Sequence, residues 1–406
     1  MSTPTRAVPD FPMPRAAGCP FAPPPQLRQM QAEGPISKVR LWDGSTPWLV
    51  TGYEEQKALL ADQRCSVDPT KPGYPYTNPA FREAASRGGV PSFLNMDDPD
   101  HARIRRMVAG SFTIKRIEAL RPVVQRMTDD FIDAMLAGPA RADLVTSLAL
   151  PLPSLVICEM LGVPYDDHEF FQAHSEVGLH QDVTPQAARA AHQALLQYLE
   201  KQLDAKLARP GDDLLSEFAA RHREGELSRF EAASLGLLLL GAGHETTANM
   251  ITLSTLALLE HPDQLAVVRE SEDPKVLAGA IEELLRYLTI IHLGNRRVAT
   301  EDIDLHGHTV RAGEGIIIPS SAANWDPDYF PEPGELDIGR NARHHMAFGF
   351  GVHQCLGQPL ARVELQVVLG TLFRRIPTLR LAVDRDQLPF KESGVVYGVH
   401  RLPVAW

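Results

Sequence analysis

The sequence predicts a mainly α-helical protein with a smaller β-rich part, in which a helical core surrounds one long central helix. Helical spacing of apolar residues dominates from Asp98 to about Pro262 and includes one long helix from roughly Arg229 to His261. Short runs rich in Val and Ile, bounded by turn residues, occur around residues 36–51 and 296–318. These runs indicate small sheets beside the helices.

Composition and charge limit the class of protein. Of the 406 residues, 44% are hydrophobic and 22% are charged, as is ordinary for a folded globular chain. No apolar run approaches the ~20 residues that cross a bilayer, and Met1 to Pro25 lacks the order of a signal peptide. Four scattered cysteines suggest no disulfide framework, and the net charge of −11 argues against nucleic acid as the main partner. We therefore expect a cytoplasmic protein.

We expect a single domain over residues 1–406. Residues 1–35 are predicted to be an extended proline-rich arm with a short helix near its end. A β-rich part is predicted from residues 36–97 together with 289–320. A mainly helical part is predicted from residues 98–288 together with 321–406. Residues 67–91 lack periodicity and are predicted to be a long irregular loop.

Smaller features complete the predicted order of elements. A break at residues 177–184 separates two helices of the helical part. Near the end of the chain, residues 379–383 and 395–399 are predicted to be strands.

The most distinctive stretch surrounds Cys355. Residues Phe348 to Gly357 read Phe-Gly-Phe-Gly-Val-His-Gln-Cys-Leu-Gly, and a helical pattern follows from Gln358 to Arg375. Cys355 therefore precedes a helix N-terminus, where unpaired N–H groups and the helix dipole stabilise a thiolate. The glycines carry no Cβ, so a flat ligand or a tightly turned backbone can come close to the sulfur.

Three interpretations of Cys355 compete with the common role of a buried small hydrophobe. A zinc ligand needs partners two to four residues away, and the cysteines at positions 19, 65 and 158 are too distant. A catalytic nucleophile can pair with a distant His, but it does not need glycines around it. The axial ligand of a haem iron uses both the thiolate and the close glycines.

The middle of the predicted central helix contains glycines where alanine would be more favourable. Ser228 and Glu231 form a capping box at its start and Pro262 ends it, so the helix spans on the order of 50 Å. Gly241 and Gly243 each cost about 1 kcal/mol relative to Ala. They indicate either a packing notch for another helix or a flat space for the face of a cofactor.

Polar residues follow these glycines. Glu245, Thr246 and Thr247 are placed to form hydrogen bonds within a groove. An unpaired buried carboxylate is expensive, so Glu245 needs either a partner or a function. Further along, Glu283 and Arg286 lie three positions apart on one face of a predicted helix and can pair, although many helix surfaces carry such a pair.

Together these motifs resemble the cytochrome P450 family, in order and approximate spacing. The haem-binding loop of that family, Phe-Gly-x-Gly-x-His-x-Cys-x-Gly, is matched by Phe348, Gly349, Gly351, His353, Cys355 and Gly357. The stretch from Ala242 to Thr246 resembles the oxygen-activation motif, and Glu283-x-x-Arg286 resembles the structural pair, with Arg340 as its third member. The likeness extends from about Val39 to the end and is greatest to soluble bacterial members of the actinomycete type.

The resemblance implies one haem b per chain, with the thiolate of Cys355 on the iron. It implies that the haem propionates bind to His101, Arg105, Arg297 and His353, through charge-assisted hydrogen bonds. Phe348 is expected to pack beside the sulfur. Further cofactor contacts are expected at Gly349, Gly351, Gly357, Ala242 and Gly243. Glu245 and Thr246 are expected to relay protons to dioxygen while its O–O bond breaks.

The implied reaction is the insertion of one oxygen atom from O₂ into a bulky hydrophobic molecule, by hydroxylation or epoxidation. A polyketide, terpenoid, steroid-like compound or xenobiotic fits this expectation, typically in secondary metabolism. The expected substrate contacts lie in mostly apolar segments and comprise Leu94, Leu239, Ala242, Ile290, Ile291, Val395 and Val396.

Electrons are expected from other proteins, because no flavin or iron–sulfur domain is visible in the sequence. The resemblance implies an acidic ferredoxin and its NAD(P)H-dependent reductase. A basic face near Cys355 is expected to meet the ferredoxin, formed by Arg103, Arg106, Arg362 and Arg374. We expect a monomer without a nucleic-acid or membrane partner.

Other functions are weighed against this one. A peroxide-driven haem-thiolate enzyme or an isomerase does not need protons delivered to O₂, so the pair Glu245–Thr246 argues against it. A non-enzymatic haem sensor would be accompanied by a signalling or DNA-binding segment, and no such segment accompanies the core. A zinc enzyme and a cysteine hydrolase have less support from the residues around Cys355.

Overall fold

Helices form the greater part of the structure. The computed structural model describes residues 8–16, 18–86, 92–179, 183–392 and 394–406. The first seven helices in chain order are α1 Pro25–Glu33, α2 Tyr53–Ala61, α3 Pro79–Ser86, α4 Asp100–Ala109, α5 Ile114–Ala137, α6 Pro151–Leu161 and α7 His168–Leu179. The next seven are α8 Pro185–Ala208, α9 Leu214–Arg223, α10 Arg229–Glu260, α11 Pro262–Glu270, α12 Pro274–Leu288, α13 Ser320–Asn324 and α14 Gln358–Arg375.

Short strands form three small sheets. The strands are β1 Ile36–Lys38, β2 Trp48–Val50, β3 Cys65–Ser66, β4 Arg141–Asp143, β5 Asn295–Ala299, β6 Ile303–Leu305, β7 His308–Val310, β8 Gly315–Ile318, β9 Arg380–Leu381 and β10 Pro403–Ala405. A five-stranded sheet has the order β1-β2-β8-β5-β3, with β2 and β8 parallel and its other pairs antiparallel. The other sheets are β4-β10-β9 and the hairpin β6-β7.

The helix α10 runs through the core. Its residues are apolar on nearly every side, as expected of a helix that is enclosed by others. Its first half, up to Leu240, shares one hydrophobic cluster with α6, α8, α9 and the start of α14. Its second half, from Met250, shares another with α12 and the rest of α14. Because α14 follows the Cys355 loop directly, this packing fixes the loop relative to α10.

Both ends of α10 are where the sequence predicts them. The hydroxyl of Ser228 accepts a hydrogen bond from the N–H of Glu231 (3.1 Å), and the Glu231 carboxylate accepts one from the N–H of Ser228 (2.8 Å). The helix ends at Glu260, and Pro262 begins α11. The predicted capping box is therefore confirmed.

An ion-pair network fastens α12 to the irregular segment after α13. Arg286 is fully buried and donates two hydrogen bonds of 2.7 Å to Glu283. It also donates to the backbone carbonyls of Asn324 and Pro333, at 2.8 and 3.0 Å. Arg340 donates to Glu283 at 3.2 Å. All of these contacts are between parts of the scaffold, so the predicted pairing of Glu283, Arg286 and Arg340 is present.

Most predicted elements agree with the structure, including the strands before residue 51, those between 295 and 318, and the helix after Cys355. Two predictions are wrong. The stretch 67–91 contains the helix α3, whose start is capped by the side chain of Asn78, which accepts from the N–H of Phe81. Residues 395–399 form no ladder, and single bridges instead join Val396 to Ile291 and Val399 to Phe390.

Two further predictions concern segments that the structure describes only in part. The predicted break at 177–184 begins later than expected, because α7 continues to Leu179; residues 180–182 lie outside the described residues. Residues 87–91 of the predicted loop also lie outside them. Among the helices that the structure describes, none has the length and apolar character needed to cross a membrane.

Candidate functional site: the Cys355 loop and the facing surface of α10

The Cys355 loop is a tight connection that leads into α14. The backbone at Gly349 and Gly351 has positive φ, 70° and 74°, which glycine adopts without strain. The N–H of Cys355 donates to the carbonyl of Phe348 (2.9 Å) and closes the loop. A Cβ on Gly351 would lie 2.3 Å from the carbonyl oxygen of Leu60, so this glycine lets the loop pack against α2.

Cys355 is exposed to solvent although the loop around it is mostly half-buried. Burial nevertheless raises the pKa of its thiol. The N–H groups of Gly357 and Gln358, together with the charges of Arg105 and Arg362, act in the opposite direction and favour the thiolate. The sulfur is thus presented at a helix N-terminus with cationic neighbours.

Histidine and arginine side chains gather next to this loop. The rings of His101, on α4, and His353 have centroids 4.1 Å apart, and Arg105 donates to the carbonyl of Gln354 (2.6 Å). The pKa of His353 falls to about 4, first because of burial and then because His101, Arg297 and Arg105 oppose a further positive charge. The structure therefore brings together the four residues predicted to bind propionates.

The hydrogen-bonding capacity of this histidine and arginine cluster is only partly used by the protein. Nε2 of His101 and Nδ1 of His353 are buried and have no hydrogen-bond partner among the described residues. Arg297 is buried, and burial lowers the pKa of its guanidinium, which donates to the carbonyl of Arg296 at 2.8 Å. The other ring nitrogen of His101, Nδ1, lies 3.1 Å from the carboxylate of Asp98. The two unpartnered nitrogens and the guanidinium groups beside them suit the carboxylates of a bound group.

The donor set at Cys355 also fits the metal of a prosthetic group. Within the described ranges, no cluster of three or more His, Cys, Asp or Glu side chains is arranged to hold a metal ion. A metal at Cys355 would therefore have fewer than three such ligands from the described part of the chain, which suits a haem iron, because that iron needs only one thiolate from the protein. The residues present fit a haem whose carboxylates meet the histidine and arginine cluster.

One face of α10 is open in the middle of the helix. Ala242 is exposed and Thr246 is half-buried, although Leu239, Leu240 and Glu245 around them are buried. The Thr246 hydroxyl donates to the carbonyl of Ala242 (2.8 Å). This open face is where the sequence predicts contact with a cofactor.

The two glycines of α10 have different roles. A Cβ on Gly241 would meet no atom within 4 Å, whereas a Cβ on Gly243 would lie 3.0 Å from Cγ1 of Ile157 on α6. Gly243 therefore forms a packing notch for α6, which is one of the two interpretations offered by the sequence. Gly241 instead faces open space next to the helix.

The partner of Glu245 could not be predicted from the motifs. Its carboxylate forms a close ion pair with Lys391 and accepts a hydrogen bond from the side-chain amide of Asn249 (3.0 Å). Burial alone raises the pKa of Glu245, but the charge and hydrogen bond of Lys391 outweigh it, so this pKa lies below its ordinary value. Burial lowers the pKa of neighbouring His244. Glu245 is thus an anion at neutral pH.

Several predicted substrate contacts are neighbours in space. The N–H of Tyr397 donates to the carbonyl of Ile290 (2.7 Å), and Ile291 bridges Val396. The N–H of His292 donates to the carbonyl of Val395 (3.1 Å). The segments that carry four of the predicted contacts therefore form one unit.

The other predicted substrate contacts lie on separate elements. Leu239 is buried on α10, one turn before the exposed Ala242. Leu94 is half exposed on the short 3-10 turn Phe93–Asn95.

A second ion-pair network, which the sequence did not reveal, lies beside Phe348. Glu282 accepts from Arg362 at 2.6 and 2.9 Å, and its carboxylate lies 3.2 Å from the ring of His345. Burial works against the charge of Glu282, but the hydrogen bonds from His345 and Arg362 bring its pKa to about 2. The Arg362 guanidinium also lies over the ring of Phe348, 4.7 Å from its centroid. This network holds Phe348 in place at the start of the Cys355 loop.

These contacts alter the expected basic face. Arg362 is committed to Glu282, and Arg103 donates to Glu231 at 2.5 Å. Arg106 and Arg374 remain exposed. A surface cavity of about 410 Å³ lies beside the Cys355 loop, lined by Asp98, His101, Ala102, Arg105, Arg106, Ala109, Gly351, Val352 and Gln354.

Comparisons with known proteins agree on one family. The family model described as "Cytochrome P450" matches residues 177–399. Cytochrome P450 GfsF of Streptomyces halstedii is 54% identical over 405 residues, which cover 99% of this chain and 97% of that protein. The crystal structure of GfsF has a TM-score of 0.92 over 98% of this chain and 100% of that chain.

A second solved structure has the same fold and a bound small molecule. It is the mycinamicin VIII C21 methyl hydroxylase MycCI from Micromonospora griseorubida, bound to mycinamicin VIII. Its identity to this chain is 42% and its TM-score is 0.92, with coverage of 98% of this chain and 100% of that chain.

Proposed function

Because the chain belongs to the cytochrome P450 family of monooxygenases, we propose that it inserts one atom of O₂ into a bulky hydrophobic secondary metabolite. Hydroxylation or epoxidation of a polyketide, terpenoid or steroid-like compound is the proposed reaction. The observation that carries the proposal is the exposed sulfur of Cys355 just before the start of α14, close to two buried ring nitrogens, Nε2 of His101 and Nδ1 of His353, that have no hydrogen-bond partner among the described residues.

Family membership implies a haem-thiolate cofactor, and we assign one haem b to each chain. Cys355 is the ligand to its iron, and His101, Arg105, Arg297 and His353 hold its propionates. The unpartnered Nε2 of His101 and Nδ1 of His353 support this assignment. The bound haem supplies the activation of O₂ once two electrons have reached it.

The residues of α10 supply protons on the other side of the site. Thr246 presents its hydroxyl on the open face, where its hydrogen bond to Ala242 can be exchanged for one to a bound molecule. Glu245 is the carboxylate that takes a proton from water and passes it toward Thr246. A Cβ on Gly241 would meet no atom within 4 Å, so this glycine keeps the helix face open for a bound group.

The substrate lies against Ile290, Ile291, Val395 and Val396, with Leu239, Ala242 and Leu94 as further contacts. These side chains exclude water and provide few polar groups, so hydrophobic contact determines binding. The similar protein MycCI was solved bound to mycinamicin VIII, which supports a secondary metabolite as substrate.

Electrons come from an acidic ferredoxin and its NAD(P)H-dependent reductase. The surface cavity beside the Cys355 loop is the proposed docking place, because the exposed Arg106 lines it and Val352 is exposed at its edge. A protein of net charge −11 needs such a local positive region to attract an acidic partner.

The spectrum of the dithionite-reduced protein under carbon monoxide tests the proposed ligand. A strongly red-shifted Soret band is expected, and Cys355→Ser is expected to lose that band. A Soret band typical of histidine ligation in freshly prepared wild-type protein would overturn the assignment of Cys355. Spin-state shifts with candidate hydrophobic compounds would then identify the substrate class.

Replacement of Thr246 tests the proton relay. In Thr246→Ala the delivery of protons to O₂ is impaired, so electrons are expected to appear as hydrogen peroxide rather than product, with a loss of coupling of about tenfold or more. Product and peroxide per NAD(P)H consumed are the measurements, and Thr247→Ala is the control because Thr247 is buried away from the open face. Unchanged coupling in Thr246→Ala would contradict the relay.

A further inference from the structure

Lys391 is the residue through which the C-terminal part of the chain reaches the centre of α10. We propose that Lys391 is a positioning residue for the reaction: it orients the carboxylate of Glu245 and keeps it ready to accept the next proton from water. The inference rests on the proposed function, in which Glu245 belongs to the proton relay.

The ion pair is enclosed and specific. The side chains of Lys391 and Glu245 are only 14% and 12% exposed, and the ammonium group contacts Oε1 of the carboxylate. Asn249 donates to the same Oε1 (3.0 Å) and also to the backbone carbonyl of Glu245 (2.8 Å). Within the described part of the chain, both side-chain donors act on Oε1, which leaves Oε2 for other hydrogen bonds. Two donors on one oxygen fix the plane of the carboxyl group.

The backbone around Lys391 holds the ammonium in place. The N–H of Lys391 donates to the carbonyl of Gly398 (2.8 Å). Gly398 in turn lies directly against α10, because a Cβ at this position would be 1.8 Å from the side-chain oxygen of Asn249. The backbone at Lys391 is therefore hydrogen-bonded to a segment that packs against α10, and this packing fixes the position from which the lysine side chain reaches Glu245.

The charge balance around Glu245 explains what Lys391 contributes. Among the described residues, the charged and titratable groups that act on this carboxyl are Lys391 and His244, and burial keeps His244 neutral. Without Lys391, a buried carboxyl with only an amide partner retains its proton. In each relay cycle a proton leaves Glu245 toward Thr246, and the carboxylate then takes a replacement from water. Lys391 stabilises the deprotonated form that must exist between these two transfers.

Lys391 also connects the relay to the substrate side of the site. It lies in the same C-terminal segment as Val395 and Val396, and Val396 bridges Ile291. A displacement of this segment by a bound molecule would move the ammonium relative to Glu245. The position of the carboxylate is thus tied to the residues proposed to contact substrate.

The test uses the holoenzyme with Lys391→Met, Lys391→Gln, Lys391→Arg and Glu245→Gln, and with Lys201→Met as a control at an exposed lysine on α8. Infrared spectroscopy of the resting protein is the first measurement. In difference spectra against the wild type, Lys391→Met and Lys391→Gln are expected to show an additional C=O stretch of a protonated carboxyl, and the double variants with Glu245→Gln are expected to lack it. Lys391→Arg and Lys201→Met are expected to resemble the wild type.

Coupling of electron use to product is the second measurement. Lys391→Met is expected to lower the ratio of product to peroxide by about tenfold or more, because the carboxyl then holds its proton, with partial recovery in Lys391→Arg. The pH dependence of coupling is expected to shift in the same variants, which loss of packing alone would not cause.

The outcomes separate two kinds of failure. If Lys391→Met and Lys391→Gln match Lys201→Met in both the infrared spectrum and coupling, the positioning role is wrong. If the infrared band appears but Glu245→Gln leaves coupling unchanged, the proposed relay role of Glu245 fails and the inference fails with it. A red-shifted carbon monoxide band in every variant would show that the haem site itself is intact.

Discussion

Glu364 is a fully buried carboxyl group on α14 that no part of the proposed reaction uses. Neither of its carboxyl oxygens accepts a hydrogen bond from the described residues. Burial alone raises its pKa well above the ordinary value of 4.5. A carboxyl in these surroundings is protonated and neutral at pH 7, because an unpaired buried charge is far more costly.

Glu364→Gln is expected to stabilise the protein at neutral pH. The unfolded chain releases this proton above pH 4.5 while the folded protein keeps it, so wild-type stability falls as pH rises from 4.5 toward the raised pKa. The difference grows by up to about 1.4 kcal/mol for each pH unit between 4.5 and the raised pKa. Thermal unfolding at pH 5, 6 and 7 measures it.

The exposed Glu272 provides the control, since Glu272→Gln leaves a solvated side chain solvated. A Glu364→Gln variant that is less stable than the wild type at pH 7 would show that the carboxyl has a partner that stabilises its anion. Equal stability of the two proteins below pH 4.5 is part of the same expectation.

At the scale of single residues, the sequence predicts what lies within a short motif. Cys355 and Thr246 are identified by their immediate neighbours in the chain. Lys391 is not, because 146 positions separate it from Glu245 and only the folded backbone brings the two together. The contact of Arg362 with Glu282, 80 positions away, was missed for the same reason, and this residue was assigned to a surface face instead.

The contact between α6 and α10 depends on the absence of a side chain at Gly243. Ile157 on α6 occupies the space that a Cβ at this position would need, with Cγ1 at 3.0 Å and Cδ1 at 3.1 Å. The two helices therefore pack more closely than alanine would permit.

Gly243→Ala is expected to destabilise the protein despite the better helix propensity of Ala. Overpacking costs typically 1–3 kcal/mol and the propensity gain is about 1 kcal/mol, so a net loss of about 1 kcal/mol is expected. Adding Ile157→Val removes Cδ1 and is expected to recover part of this loss, as a double-mutant cycle of unfolding free energies would measure.

A matched control is Gly279→Ala on α12, where the new Cβ would be at an ordinary 3.7 Å from the carbonyl of Ile338. This variant is expected to be slightly more stable than the wild type. If Gly243→Ala behaves in the same way, α6 moves aside easily and the packing notch has no energetic importance.

At the scale of elements, the sequence predicts long periodic segments and misses short ones. The 32 residues of α10 give a clear signal, because periodicity is read over windows of about 11–18 residues. The eight residues of α3 do not fill such a window and begin with Pro79 in a proline-rich stretch. Residues 395–399 have strand-like composition, but Gly394 and Gly398 flank the valines and the segment makes single bridges only.

The surface around the Cys355 loop is locally basic on a molecule whose net charge is −11. Of the four arginines expected there, Arg103 and Arg362 are neutralised by carboxylates, and the exposed Arg106 lines the cavity of about 410 Å³ with Arg105. Long-range attraction of an acidic partner therefore depends on few charges.

Arg106→Glu is expected to slow reduction by an acidic ferredoxin about tenfold at low ionic strength, because electrostatic steering contributes on the order of 10- to 10³-fold to association. The difference from wild type is expected to shrink at high salt. Stopped-flow reduction under carbon monoxide at several salt concentrations measures both effects. Arg209→Glu, at the exposed end of α8, makes the same change of charge elsewhere; equal slowing in both variants would contradict docking at the cavity.

The parallel pair β2–β8 determines when the five-stranded sheet can form. Trp48 and Leu49 pair with Ile316 and Ile317, and most helices of the protein lie between these two strands in the chain. During synthesis on the ribosome, β1 and β2 therefore emerge long before the strand that completes their sheet. The edge of β2 that pairs with β8 therefore stays unpaired until the helical part has been synthesised. During this interval the nascent chain is most prone to aggregate and most dependent on chaperones.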